Sequence, residues 1–235
     1  MRAPAEIQLQ PLERQRQWQW EEIPVLELRL SIPHCASDDR RIRRINRYYE
    51  SFARSCEQYA HRFLFPAAAE AFAAALAENR CPDLWHFHAA FSTELLSETL
   101  WSLTIETEEM TGSTPYRCRY ADTWELTSGY LLSLAELFPA EPLYRRRLKA
   151  HAGEELLARQ AQGTALHENW KHRLVSTWNK ENFYLSDEGL HWYYPMYALG
   201  GEALGIPTFF LPWNSEKNPK APASLLDSAL SADIK

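Results

Sequence analysis

Apolar and polar residues alternate from Val25 to Ile32, placing Leu26, Leu28, Leu30 and Ile32 on one side. A period of two predicts a half-buried strand. The period then changes. Ile42, Ile45, Tyr49, Phe52, Cys56, Tyr59 and Phe63 follow at steps of three and four, which draws one apolar stripe along a helix of about six turns. Asp38 or Asp39 stands where that helix needs its cap. Pro66 interrupts the stripe. The alanine-rich run Ala67 to Ala77 predicts a second helix, with Phe72 and Leu76 on one side and Asn79 and Pro82 to end it.

Three long strands follow. Trp85, Phe87, Ala89 and Phe91 alternate with His86, His88 and Ala90, and Trp101, Leu103, Ile105 and Thr107 alternate with Ser102, Thr104 and Glu106. After the turn residues Thr111-Gly112-Ser113, the positions Tyr116, Cys118, Tyr120, Asp122, Trp124 and Leu126 share a face. The pattern predicts an antiparallel meander with one face in water. Further on, Ser133 to Phe138 reads as a helical turn, and 141–161 and 167–180 as helices. Phe183 to Leu185, Leu190 to Tyr194 and Ile206 to Leu211 read as strands. The expected class is α+β, an antiparallel sheet with helices packed on one face, in one domain over residues 23–213. Residues 1–22 read as a polar, Gln-rich segment containing Trp18 and Trp20. Residues 214–235 read as a polar tail with a weak helical pattern around Leu225 to Leu230.

Thirty aromatic residues (9 Trp, 11 Tyr, 10 Phe) supply a large core. The net charge of -6 argues against a nucleic-acid partner, which needs a basic face. The runs Arg40, Arg41, Arg43, Arg44 and Arg145, Arg146, Arg147 fit solvated helix faces. No stretch reaches the ~20 apolar residues of a membrane span. The polar start has no apolar signal-peptide core, so a cytoplasmic protein is expected. Cys35, Cys56, Cys81 and Cys118 form no Cys-x-x-Cys pair and are expected as free thiols.

Candidate chemistry is sparse. His86 and His88, two apart on a strand, point to one side and offer two imidazoles to a metal. A zinc site needs three or four ligands, and the sequence identifies no third, so solvated polar positions and no stoichiometric zinc are expected. Glu106, Glu108 and Glu109 sit at a strand end beside a turn, where solvation is the ordinary reading. Nucleophile-elbow, Walker and dinucleotide fingerprints are absent from the sequence, and Gly200 to Gly205 reads as a loop. No catalytic or cofactor-binding residue is assigned. Two places qualify for a protein partner. One is the tip between the long strands, with Met110, Thr114 and Pro115, since such a turn projects beyond its sheet. The other is the aromatic strand with Trp192, Tyr194 and Tyr197; packing into the core is its ordinary reading, with a contact surface as the alternative.

The segment Asn182-Phe-Tyr-Leu-Ser-Asp-Glu-Gly-Leu-His-Trp-Tyr-Tyr-Pro-Met-Tyr197, followed by Gly205-Ile-Pro-Thr-Phe-Phe-Leu-Pro212, resembles the RsiV-like C-terminal domain, a bacterial domain of unknown function. Ser97 to Thr111 and Asp122 to Phe138 are similar to that family's middle strand and turn segments. Val25 to Phe52 is similar to its opening strand and helix. The resemblance spans about residues 23–213, judged by the order of elements. It implies an α+β fold on antiparallel strands, and a non-catalytic role. Relatives include the lysozyme-binding part of an anti-sigma factor and accessory domains of polysaccharide deacetylases. The turn here reads Gly112-Ser-Thr-Pro-Tyr116 in place of the family's Gly-Gly-Ala-His-Gly, and no anchor is visible. Both departures argue against carrying over lysozyme binding or a cell-wall role. Three function classes follow: a binding or regulatory domain with an unidentified protein partner, a structural subunit of a homo-oligomer, and a metal-dependent enzyme using His86 and His88. The first is favoured on the resemblance and the aromatic strand, fold analogy being weak evidence for function.

Overall fold

The computed structural model describes residues 7–112, 114–139 and 141–213. The remainder, including the helical pattern around residues 225–230, lies outside the described residues. The expected α+β class is borne out. The described residues divide into two compact units: an N-terminal one of residues 7–91 and 105–117, and a C-terminal one of 92–104 and 118–213.

In the N-terminal unit, β1 (Leu12–Trp20) and β2 (Ile23–Ile32) form an antiparallel hairpin. The alternation in β2 works as read: Leu26, Leu28, Leu30 and Ile32 are each at most 1% exposed. The sequence pattern gave no strand over 12–20. That stretch is an edge strand, where charged side chains are tolerated because one side of the ladder faces solvent. Its turn, Glu21–Glu22, has φ of 47° and 69°. These are the positive values a two-residue hairpin loop requires, adopted here without the glycine or asparagine that would announce them.

Helix α1 (Arg40–Tyr59) starts on Asp39, whose carboxylate accepts the Arg41 N–H at 2.7 Å. Its buried line is Ile42, Ile45, Asn46, Tyr49, Ala53 and Cys56. Phe52 is half-buried, while Tyr59 is 39% and Phe63 64% exposed. A strict three–four repeat drifts by about 20° per heptad around a 3.6-residue helix, so Ala53 and Ala60 take the inner places further along. Pro66 does not break the helix. Residues Ala60–Leu64 form a π-helical turn, with the Phe65 N–H reaching back to the Ala60 carbonyl, and α2 (Phe65–Ala77) carries Pro66 in its first turn. The wider turn accommodates the ring that an α-helical interior would exclude. Asn79, with φ of 52°, ends α2 as expected.

Both helices lie against β2. The next strand, β3 (Trp85–Leu96), pairs with β2 in parallel, Leu28 opposite Phe87 and Leu30 opposite Ala89. Those residues form the apolar face. The alternate residues then pair on the face turned away from the helices: Glu27 with His86, and Arg29 with His88.

β4 (Leu100–Met110), β5 (Tyr116–Glu125) and β6 (Tyr130–Leu131) complete a sheet of order β1-β2-β3-β4-β5-β6, and β3, β4 and β5 each contribute residues to both units. The expectation of one wet face fails in the C-terminal unit. Ser102, Thr104 and Thr123 are at most 5% exposed. The Ser102 hydroxyl accepts the Leu185 N–H at 2.8 Å and shares a 2.9 Å hydrogen bond with Thr123. Small hydroxyls let a second layer close on this face while their polar atoms stay satisfied.

That layer is the sheet β7-β8-β9 (Phe183–Leu185, Gly189–Tyr193, Thr208–Pro212), antiparallel throughout. A Cβ at Gly189 would collide with the Leu211 carbonyl oxygen, so the strand pair needs glycine there. Helices α3 (Tyr144–Ala161) and α4 (Trp170–Ser176) share the core with this sheet, α4 being shorter than the pattern suggested. Leu148, Leu156, Trp170, Trp192, Tyr194 and Phe209 are among its buried residues.

Candidate functional site

The parallel register of β2 and β3 sets Glu27 beside His86, with His88 two residues on. Glu27 is 6% exposed although it carries a carboxylate. One oxygen, Oε1, accepts hydrogen bonds from Gln15 Nε2 at 2.8 Å and from Arg29 at 2.9 Å. The other, Oε2, lies 3.4 Å from His86 Nδ1, an ion-pair distance without hydrogen-bond alignment. His86 Nδ1 and His88 Nε2 are buried atoms with no hydrogen-bond partner. Ligand-type atoms of the three residues all lie within 4.8 Å of one another, the one such group of three found among the described residues.

The electrostatics are mixed. Burial pushes the Glu27 carboxyl up, but the hydrogen bonds from Arg29 and Gln15 and the charges of Arg29 and His86 outweigh it. The net shift is downward and Glu27 is ionised. His88 is held below the ordinary histidine value by burial first, then by His86 and Arg29, with Glu108 and Glu27 opposing. Its imidazole is therefore neutral at neutral pH, the form that has a lone pair to give.

The tip between β4 and β5 gathers Met110, Thr114 and Pro115: Thr114 is exposed, and Met110 and Pro115 are half-buried. Ser113 lies outside the described residues. Just before the tip, the Glu109 carboxylate accepts the Tyr59 hydroxyl at 3.2 Å. Burial raises the Glu109 carboxyl, and the Tyr59 hydrogen bond partly counters it. Tyr59 packs on Phe63 at 5.7 Å between ring centroids, so the exposed end of the π-helical turn is tied to the base of the tip.

The aromatic strand goes elsewhere. Trp192 and Tyr194 are each 1% exposed, with Phe209 ring centroids 5.8 Å from both, and the Tyr194 hydroxyl donates to the Leu174 carbonyl at 3.1 Å. Both side chains are core. Tyr197 is half-buried with φ of 63°, and its carbonyl lies 2.9 Å from Arg173 and 3.1 Å from His167 Nε2. An open cavity of about 630 Å³ lies by the start of α1, lined by His34, Cys35, Asp38, Arg43, Asn46 and Glu50 among others. Asn46 at its floor is satisfied, bonding the Cys35 N–H at 3.0 Å and the Cys35 carbonyl at 2.9 Å.

Glu27 is the residue that sequence reasoning missed. Glu27 shares the polar register of its strand with Arg29 and Ser31, so the alternation alone did not single it out. The register of a parallel pair separated by two helices was not readable.

Residues 135–214 match the model of DUF3298, a family of proteins of unknown function. A crystal structure of a DUF3298-family member from Bacteroides fragilis superposes with a TM-score of 0.69 at 16% identity, covering 96% of this chain and all of that one. A DUF3298-family protein from Pseudomonas aeruginosa gives a TM-score of 0.58 at 14% identity, with 89% of this chain and 92% of that one covered. At these identities the likeness shows the fold alone. No curated protein matches the chain.

Proposed function

We propose that the chain is a non-catalytic protein-binding domain of RsiV-like type, acting in the cytosol, whose contact surface is the β4–β5 tip with Tyr59 and Phe63. The carrying observation is Phe63, a phenylalanine 64% exposed on a π-helical turn. π-turns interrupt a helix at some cost and recur at functional sites. Aromatic side chains tend to dominate the energy of protein contacts. Tyr59, 39% exposed, links this ring to Glu109 at the base of the tip, so turn and tip form one continuous surface. The tip side chains touch a partner without disturbing the core.

The test is affinity capture from the lysate of the source organism, with quantitative mass spectrometry. The expected result is a protein retained by the wild type and depleted at least tenfold with both Phe63→Ala and Met110→Ala, the melting temperature being unchanged. Equal recovery of every captured protein by folded wild type and variants would contradict the reading.

A further inference from the structure

We propose that Glu27, His86 and His88 form a binding site for a divalent transition-metal ion, zinc being the best fit, which clips β2 to β3. Two imidazoles and one carboxylate are a donor set that zinc accepts, whereas calcium and magnesium take oxygen ligands.

Three observations carry the site. First, the two inward nitrogens, His86 Nδ1 and His88 Nε2, are buried without a hydrogen-bond partner. A buried polar atom left unsatisfied is unfavourable, and a bound cation relieves both at once. Second, the carboxylate is divided in function. Gln15 and Arg29 hold Oε1 at 2.8 and 2.9 Å, leaving Oε2 towards His86. Orienting hydrogen bonds of this kind are the usual support of a metal-bound carboxylate. Third, spacing fits. Around a tetrahedral ion with bonds of ~2.1 Å, ligand atoms stand about 3.4 Å apart. Glu27 Oε2 and His86 Nδ1 are 3.4 Å apart, and one ligand-type atom from each of the three residues lies within 4.8 Å of the others, so modest side-chain rotation brings His88 in. His86 is 33% exposed at its side chain, which opens a path for the ion and a fourth position for water.

The other buried nitrogens of this kind on aromatic rings do not compete. Trp178 and Trp192 also leave an indole nitrogen unpartnered, but that nitrogen only donates and cannot hold a cation. Arg29 places a positive charge nearby, so the site binds more weakly than a four-ligand structural zinc.

The probe is the metal alone on the full chain. Calorimetric titration with zinc is expected to give one ion per chain, with at least tenfold weaker binding in Glu27→Gln and in His88→Gln. Zinc is expected to raise the melting temperature of the wild type and leave both variants unmoved. Cobalt(II) in place of zinc is expected to show ligand-field bands without the thiolate charge-transfer band that the exposed Cys81 would produce. Circular dichroism establishes that each variant folds; if one does not, the wild-type cobalt spectrum decides. Absence of uptake, unchanged affinity in folded variants, or a thiolate band would each overturn the site.

Discussion

The part of strand β3 in the N-terminal unit and strand β8 in the C-terminal unit both set histidine beside aromatic residues. One reads Trp85-His86-Phe87-His88, the other Leu190-His191-Trp192. By pattern they are alike, and their surroundings differ. His191 Nε2 is 3.0 Å from the Ser186 hydroxyl, and its ring lies between Tyr184 at 4.6 Å and Phe210 at 4.8 Å. Its cross-strand neighbours are those two aromatics. His86 and His88 have a carboxylate and a guanidinium across the strand, and each keeps one buried nitrogen without a partner. A strand histidine between rings is a packing residue. On the proposed assignment, strand histidines with a buried, unpartnered nitrogen near a carboxylate are ligands. The difference lies in the neighbouring strand, which the local sequence does not contain.

The largest test of the contrast is stability. Trp192→Ala removes a fully buried ring from the β8 core and is expected to cost about 3–5 kcal/mol in a urea titration. His88→Gln, without metal, is expected to change stability by no more than about 1 kcal/mol, as a substitution outside the apolar core. Similar losses in the two variants would erase the distinction between core strand and ligand strand.

A smaller effect is expected with pH. Burial holds His191 below its ordinary value of 6.5, with weaker contributions from neighbouring charges. The unfolded chain therefore binds more protons than the folded one once pH falls through 6.5. Stability is full above that value and declines as pH drops towards the folded-state value. His191→Phe keeps the ring stack and is expected to flatten this decline in chemical denaturation between about pH 7 and pH 5. It will not abolish the decline, because His88 is shifted the same way. An unchanged profile would show that His191 is not buried as described.

The smallest effect concerns thiols, and it sharpens the assignment of the metal ligands. Burial pushes Cys35 and Cys56 up to about 12, so both stay protonated and inert in the folded chain, while Cys81 is exposed. Alkylation at neutral pH is expected to modify Cys81 rapidly and to spare Cys35 and Cys56 until denaturant is added, read by peptide mass spectrometry. Rapid modification of Cys35 or Cys56 would mean that the N-terminal core opens readily.

Much of the fold was legible because burial imposes period. The alternation in β2, the start of the α1 stripe, the Asp39 cap, the Ser133 turn and the order of β7, β8 and β9 were all visible. Where two faces are buried, period fails: Ser102 and Thr123 read as wet and are core. Where no face is deeply buried, it fails too, which hid β1 and its Glu21–Glu22 turn. The same limit governs the sites. The turn at the tip could be read because a turn between long strands is a local feature. For Trp192 and Tyr194 the ordinary reading, packing into the core, is the one the structure shows, and the contact-surface alternative stayed open in sequence because both faces of that strand carry aromatic rings. His86 and His88 were visible as a pair, and Glu27 joined them only through a register set by the whole parallel crossover.

The contrast between the two histidine strands is tested most directly by nitrogen-15 spectroscopy of the histidine rings during a zinc titration. The account predicts that the His86 Nδ1 and His88 Nε2 resonances move together and saturate at one zinc per chain, while those of His191 stay in place. Movement of His191, or no movement of the His86 and His88 pair, would contradict it.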